Sequence, residues 1–477
     1  MIEFLLLEDD PQEAKIVQEI LIPHQVKHVI NLEQLSDICQ EEENFFDFAI
    51  LDLSVPKSFN EPEPSEDNGI EAFRLFRKNF PGTPILILTG SSSTDHFREM
   101  IGQSFSTRVW GKIEIKTVDY FKKNKLDDLY EVIDIIVSEI NRVNDIELYT
   151  NHPSYNIVTE NKKNKRVFSI IANKMNGFKV NVNPIGPGYS GAKIHLLDIQ
   201  NENNKTLSKV IVKTGDLDKI EEESHNYENH VVGRLDHSKY PPRIDVSSFG
   251  AKNLNSIYYK FLESEKNMSL FDYVASDTFE SEKLGLCFDL TSEWRDFSKN
   301  EIKQISDIRN IFLPDETLSS LVNLFNLSWV AQFEKRRVNF NMCISHCDFH
   351  GGNVFINPTD NTRHIIDYGD IKISPIAYDA ICLELGFFFN KGSKVSGWFM
   401  NDLIYSWAND EVFFSDAKLS KLKVIRDWAR RNINEREFLA TAYCYVIRQL
   451  KFPDVQQNKL KETLAILNSI QHEFNKQ

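Results

Sequence analysis

The residues best suited to chemistry fall in two groups far apart in the chain. One is the run Ile344-Ser345-His346-Cys347-Asp348-Phe349-His350-Gly351-Gly352-Asn353-Val354-Phe355-Ile356, followed by His364-Ile365-Ile366-Asp367-Tyr368-Gly369-Asp370. A carboxylate, an amide five residues later, and a second carboxylate ahead of an aromatic and a glycine are what phosphoryl transfer requires. One carboxylate accepts or orients the proton of an acceptor hydroxyl, and the amide oxygen and other carboxylate bind the Mg²⁺ that bridges the phosphates. The second group consists of carboxylates closing short apolar runs: Ile2 to Leu7 leads into Glu8-Asp9-Asp10, and Phe48 to Leu51 into Asp52. Acids converging on one edge repel one another and are tolerable mainly around a hard cation. A carboxylate beside such a cation can attack a phosphoryl group. Taken singly, an acid at a strand end is more simply a solvated turn residue.

The elements that must position the second group alternate. The two apolar runs, and a third from Ile85 to Leu88 ending in Thr89-Gly90, read as buried parallel strands. Helical spacing intervenes at Gly69–Phe80, and Leu126–Ile140 has apolar residues at Leu129, Val132, Ile133, Ile136 and Val137. Such alternation predicts a doubly wound α/β sheet with its ligands at the carboxyl ends of the strands. Residues 56–69, rich in Glu and Pro, read as an acidic solvated insertion beside Asp52.

The first group requires a different scaffold. Gly186-Pro187-Gly188-Tyr189-Ser190-Gly191 has the Gly-x-Gly-x-x-Gly pattern, but a strand follows it from Ala192 to Ile199 where a dinucleotide fold would need a helix. A glycine loop between two antiparallel strands instead covers ATP phosphates with backbone N–H groups. The next strand, Val210-Ile211-Val212, ends in Lys213, suited to the α- and β-phosphates, and the acidic helix after it offers Glu221, Glu222, Glu223 and Glu228 as partners. Glu228, ahead of Val231 and Val232, is selected as the one deep enough to pack back on the sheet. Cys343, His346, Cys347 and His350 are also metal-ligand types, but a structural zinc site needs a second ligand pair, and none is evident.

Two family resemblances follow from these motifs. Glu8-Asp9-Asp10-Pro11, Asp52 with Pro56, Thr89-Gly90 and Val109-Trp110-Gly111-Lys112 resemble, in order, the response-regulator receiver domains over about residues 1–145. The resemblance implies a flavodoxin-like, five-stranded parallel sheet with Asp52 as phosphoacceptor and Glu8, Asp9 and Asp52 holding Mg²⁺. It makes Thr89 and Trp110 switch residues and Lys112 the partner of the phosphoryl group. Ile113 stands where that family usually has Pro, Trp110 lies two residues before Lys112 where the switch aromatic usually lies three before, and Lys123 is a rival for the lysine. The His346-to-Asp370 text resembles the aminoglycoside phosphotransferase and choline kinase-like family, over about residues 175–450. That resemblance implies a two-lobed α+β protein-kinase-like fold using ATP, with Asp348 as catalytic base and Asn353 and Asp367 as Mg²⁺ ligands. Lys213 would be the ATP lysine, His346 would support the catalytic loop and Asp379 would brace it.

The expected organisation is a receiver at 1–145, a linker at 146–170, an N-lobe at 171–262 and a C-lobe at 263–477. The 477 residues carry 55 Lys plus Arg and 70 Asp plus Glu, a net charge of −15. Residues 1–150 hold 14 basic and 29 acidic side chains (14 − 29 = −15), and the remainder holds 41 of each sign, which disfavours nucleic acid as a partner. Six cysteines and no long apolar run predict a cytoplasmic protein with no membrane association. The partners expected are an upstream histidine kinase or phosphotransfer protein, ATP and a hydroxyl acceptor, with a homodimer left open. The competing reading is a nucleotide-binding pseudokinase scaffold whose receiver controls partner binding.

Overall fold

Short runs of aliphatic residues bounded by turn formers build a five-stranded parallel sheet. Its strand order is Gln25–Val29, Glu3–Leu7, Phe48–Asp52, Ile85–Thr89, Val118–Lys122. Phe48–Asp52 and Ile85–Thr89 are buried at every position, as parallel strands covered on both faces by helices must be. One apolar layer forms under Leu32–Gln40 and Glu66–Asn79, and the other under Pro11–Ile20 and Leu126–Asn144. The order 2-1-3-4-5 is that of a receiver fold, and it sets the carboxyl ends of the first and third strands side by side. The computed structural model describes residues 1–90, 104–153, 155–185, 193–261 and 267–477.

The fifth strand lies beyond the Val109-Trp110-Gly111-Lys112 motif. Ser106–Thr107 and Ile115–Lys116 pair as a small hairpin, and the sheet strand begins only at Val118. The described residues of 146–170, expected as a linker, include regular elements. Glu147–Tyr149 pairs in parallel with Lys179–Pro184, and Lys162–Lys174 is a helix. Its Asn and Lys content suggested solvent exposure, yet Asn164, Arg166, Ser169 and Asn173 are buried.

Glu147–Tyr149 is the edge of a six-stranded sheet that continues through Lys179–Pro184, Lys193–Gln200, Thr206–Gly215, Asn255–Lys260 and Arg243–Ser247, antiparallel after the first pair. This sheet and the receiver sheet belong to one compact unit, residues 1–221 with 243–261. Residues 222–242 and 262–477 form a second unit. It has two three-stranded sheets and a helical body centred on Tyr378–Phe389, a helix buried at all twelve positions. Beside that helix Arg426, fully buried, donates to Glu384 Oε1 and Oε2 at 2.6 and 2.7 Å, so the buried charge is paired rather than left in apolar surroundings. Among the described residues, no helix is long and apolar enough to cross a membrane.

Candidate functional site

The receiver sheet delivers Glu8 just past the end of its first strand and Asp52 at the end of its third. Glu8, Asp9 and Asp52 each offer a carboxylate oxygen, and the three oxygens lie within 4.8 Å of one another. Asp10 is used differently: its Oδ1 accepts the Gln12 and Glu13 amides at 2.7 and 3.1 Å and caps the Pro11–Ile20 helix. Asp52 is 2 % exposed and Glu8 fully buried. Burial and the charge of Asp52 push Glu8 up to about 7, against the hydrogen bond and charge of Lys123. Burial also raises Asp9 and Asp52. Acids so placed fit a divalent cation, whose charge offsets both the desolvation and the mutual repulsion.

The lysine of this cluster is Lys123. Its Nζ lies 3.0 Å from Asp52 Oδ2 and 2.9 Å from Glu8 Oε2, and it also donates to Glu13. Burial opposes its charge, but these three carboxylates outweigh that and raise its pKa. Lys112 is elsewhere: its backbone N–H donates to Glu139 Oε2 at 3.0 Å, and its ammonium bonds Asn176 Oδ1. The assignment of Lys112 is therefore corrected to Lys123, because the strand that reaches the cluster is Val118–Lys122. Trp110 is corrected with it. The indole is 1 % exposed and belongs to the receiver core with Val109, Ile136 and Ile140. Tyr120 lies three residues before Lys123 on the fifth strand. Thr89 ends the fourth strand, buried, paired in register with Lys122. The β-branched and aromatic residues Val118, Tyr120 and Phe121 were the sequence signal for this strand; the apolar Val109-Trp110 pair ahead of a glycine and lysine imitated it.

In the second unit the Arg337–Ser345 strand runs into the loop bearing Asp348. Asp379, 4 % exposed and raised by burial, accepts the His346 N–H on Oδ2 and the Cys347 N–H on Oδ1, each at 2.9 Å. These two bonds hold the turn in which Cys347 takes φ 62°, a left-handed conformation that L residues adopt only under local constraint. His346, fully buried, pairs through Nε2 with the Ile366 carbonyl at 3.1 Å and so ties the Asp348 loop to the strand entering Asp367. Asn353 Nδ2 donates to the Asp348 carbonyl at 2.9 Å and to Asp348 Oδ2 at 3.2 Å, and the Asn353 carbonyl accepts the Ile366 N–H at 3.0 Å. Asp367 also sits at positive φ, 68°.

The turn after Asp367 is held by Asn226, which the sequence reading did not weigh. Its Nδ2 donates to the Tyr368 and Gly369 carbonyls, both at 3.0 Å. Tyr368, buried, donates its hydroxyl to the Ile365 carbonyl at 2.6 Å. His350 Nε2 lies 3.6 Å from Asp348 Oδ2, and its ring stacks on Phe271. Asp348 and Asp367 are both half-buried. The zinc alternative finds no support in the geometry: the Cys343 thiol lies 3.7 Å from Ser345 Oγ, the Cys347 thiol 3.6 Å from the Ser345 carbonyl and His346 Nε2 on the Ile366 carbonyl, and among the described residues these groups form no ligand cluster. Cys343 and Cys347 are buried, and burial pushes their thiols up, to about 12 at Cys343.

Lys213 ends an apolar stretch of the Thr206–Gly215 strand, paired with Ile194 and Ile257, and is 7 % exposed. The selection of Glu228 does not hold. It sits in the turn Tyr227–Val231 with its side chain exposed, off the stripe formed at helical spacing by the buried Ile220, Glu223, Tyr227 and Val231. Of the four acids considered, Glu223 is the buried one, 1 % exposed. Gly186, Gly188 and Gly191 lie outside the described residues.

Residues 302–396 match the model of the phosphotransferase enzyme family. The N-terminal part is receiver-like and the C-terminal part phosphotransferase-like. No curated protein matches the chain. Among solved structures, the chain is similar to the receiver domain of a sensor histidine kinase from Pseudomonas aeruginosa with magnesium coordinated in its active-site cleft. That match has 20 % identity, covers 29 % of this chain and 98 % of that one, and has a TM-score of 0.21. An aminoglycoside phosphotransferase from Streptomyces rimosus is similar at 11 % identity over 57 % of this chain and 93 % of that one, TM-score 0.32. An ethanolamine kinase from Plasmodium vivax is similar at 11 % identity over 72 % and 96 %, TM-score 0.37.

Proposed function

We propose that the chain is a two-component signalling enzyme in which phosphorylation of Asp52 regulates an ATP- and Mg²⁺-dependent transfer of phosphate to a hydroxyl acceptor. Asp348 takes the acceptor proton, Asn353 and Asp367 hold Mg²⁺ on the nucleotide, and Lys213 contacts the ATP phosphates. Glu8, Asp9 and Asp52 hold a second Mg²⁺, which neutralises charge on the incoming phosphoryl group, while Lys123 balances the charge it leaves behind. The phosphodonor is an upstream histidine kinase or phosphotransfer protein. The observation that carries the reading is the Asp348–Asn353 pair, held by Asp379 and His346 beside Asp367 within a stretch that matches a phosphotransferase family model.

The test is ADP release from ATP and Mg²⁺ across a panel of amino alcohol, sugar and protein acceptors, with and without prior treatment with acetyl phosphate. An acceptor-dependent release that Asp348→Asn abolishes, and that acetyl phosphate changes in wild type but not in Asp52→Asn, is the expected result. ATP binding without release for any acceptor would favour the scaffold reading.

A further inference from the structure

The receiver is fused to the N-lobe sheet by a built interface, and that interface lies at the end of the receiver away from Asp52. Glu3 opens the first strand, Asp47 precedes the third and Gly82 precedes the fourth, so all three mark the amino edge of the parallel sheet. Five residue steps separate Asp47 from Asp52, roughly 16 Å at about 3.3 Å per residue. At this amino edge Arg166 Nη2 donates to Asp47 Oδ1 at 2.6 Å with both side chains buried, and Lys162 pairs with Glu3. The Gly82 N–H donates to the Lys252 carbonyl at 2.6 Å, the Gly250 N–H donates to the Gly82 carbonyl at 2.8 Å, and Lys252 Nζ reaches the Glu42 carbonyl at 2.7 Å.

One receiver strand joins the two edges. Val118–Lys122 leads at its carboxyl end to Lys123, on Asp52, and continues at its amino end into the 104–117 hairpin. The hairpin is tied to that strand: the Thr117 N–H donates to the Phe105 carbonyl, and Ser104 Oγ donates to the Val118 carbonyl at 2.6 Å. Its tip is held by the helix Lys162–Lys174. Asn173 Nδ2 donates to the Trp110 carbonyl at 2.7 Å, Val109 and Trp110 share a core with Ile170, and Lys112 bonds Asn176. Gly111, at φ 124°, takes a conformation strained for any side chain, and a Cβ there would crowd Lys174 at 3.0 Å.

The same helix belongs to the N-lobe core. Val167, Phe168, Ile171 and Ala172 pack with strands Lys179–Pro184, Lys193–Gln200 and Thr206–Gly215, while Ile170 faces the receiver. Asn164 Oδ1 accepts the hydroxyl of Thr214 at 3.1 Å, both buried, and Thr214 is the neighbour of Lys213. Lys174 Nζ bonds Asp245 Oδ2 at 2.8 Å on the Arg243–Ser247 strand.

We propose that the receiver face made by its strand amino ends and the 104–117 hairpin is a permanent docking surface for its own N-lobe, and that the fifth strand, the hairpin and the Lys162–Lys174 helix carry the state of Asp52 to the strand bearing Lys213. This rests on the reading of Asp52 as phosphoacceptor and Lys213 as nucleotide lysine. Phosphorylation changes the anion that Lys123 faces, Lys123 is rigidly continuous with the hairpin, and the hairpin touches the N-lobe through Asn173. The carboxyl edge bearing Asp52 lies at the other end of the sheet from this docking surface.

The test uses the full chain and a non-hydrolysable ATP analogue with Mg²⁺, with beryllofluoride as phosphoryl mimic and Asp52→Asn as control. Wild type should change analogue affinity about fivefold or more on adding beryllofluoride, and Asn173→Ala should lose most of that change while keeping basal affinity. Hydrogen exchange on wild type supplies a readout independent of any variant: beryllofluoride should alter protection in residues 50–55 and also in 104–117 and 162–174. Altered protection confined to residues 50–55 would overturn the transmission and leave the phosphoacceptor standing. No altered protection anywhere would overturn both. A fivefold change retained in Asn173→Ala, with exchange in 162–174 unaffected, would overturn the route.

Discussion

Removing the Arg166 guanidinium should show whether the receiver and the N-lobe sheet are one cooperative body. Arg166 is 8 % and Asp47 2 % exposed, and their contact at 2.6 Å sits at the junction of the two sheets. Breaking a buried pair by deleting one partner costs about 3–5 kcal/mol, because the other charge is left desolvated. Asp47 Oδ2 keeps the Glu3 N–H at 3.0 Å, which places the cost at the lower end of that range. Arg166 also donates to Asn144 Oδ1 at 3.0 Å and lies 5.7 Å from the Phe45 ring centre, contacts that add about 1 kcal/mol together. Arg166→Met should therefore destabilise by roughly 4 kcal/mol. In a unit of 221 + 19 = 240 residues, at about 2–4 °C per kcal/mol, that lowers Tm by roughly 8–16 °C. Scanning calorimetry of the full chain reads this directly, and the transition that moves should include both sheets. Asp47→Asn combined with Arg166→Met should be less destabilised than the sum of the two single changes by about 1–3 kcal/mol. A shift under 2 °C, or additivity within about 0.5 kcal/mol, would refute the reasoning.

Three further outcomes follow from the same structure. Lys123→Ala should suppress acetyl-phosphate labelling of Asp52, read by intact mass, while Lys112→Ala leaves it near wild type, and the reverse order would restore the Val109-to-Lys112 motif as the site's lysine. Asp348→Asn should reduce acceptor-dependent ADP release by about 10²–10⁴-fold with the Tm within a few degrees of wild type, as expected for loss of a proton-accepting group. His195, 2 % exposed and packed against Phe168, is held by burial at about 4, below its ordinary 6.5, despite the nearby Glu160. The unfolded chain takes up this proton near pH 6.5 and the folded chain only near 4. The contribution is therefore full above pH 6.5 and lost as pH falls toward 4, by at most about 3 kcal/mol. His195→Gln should flatten the fall in urea midpoint between pH 7 and 4.5 relative to wild type.

Local grammar made much of both sites legible. Glu8, Asp9 and Asp52 close apolar strands, and that pattern alone predicted a carboxylate edge, which the sheet order then builds. Asp348, Asn353 and Asp367 sit within twenty residues of one another, so their joint placement depends on one loop and one strand pair. Lys123 and Lys112 were not separable by type, because each follows an aromatic and each precedes the same helix. The choice depended on which segment pairs with Ile85–Thr89, a contact distant in sequence. Glu228 failed for a local reason: the buried residues Ile220, Glu223, Tyr227 and Val231 recur at helical spacing, and Glu228 falls outside that stripe while Glu223 falls on it.

The amino-acid sequence by itself determined the strand-end acids, the phosphotransferase loop text and the strand pair that ends in Lys213, because each depends on residues near one another along the chain. Only the tertiary structure decided that Lys123 meets Asp52, and that Lys162–Lys174 is a core helix shared by two sheets rather than a linker. Its Asn164, Arg166 and Asn173 side chains look solvated when read in order. They become interior groups once Asp47, Trp110 and Thr214 arrive from 50 to 119 residues away to accept or donate their hydrogen bonds. Burial of polar groups is affordable only when such partners converge, and convergence is a property of the fold.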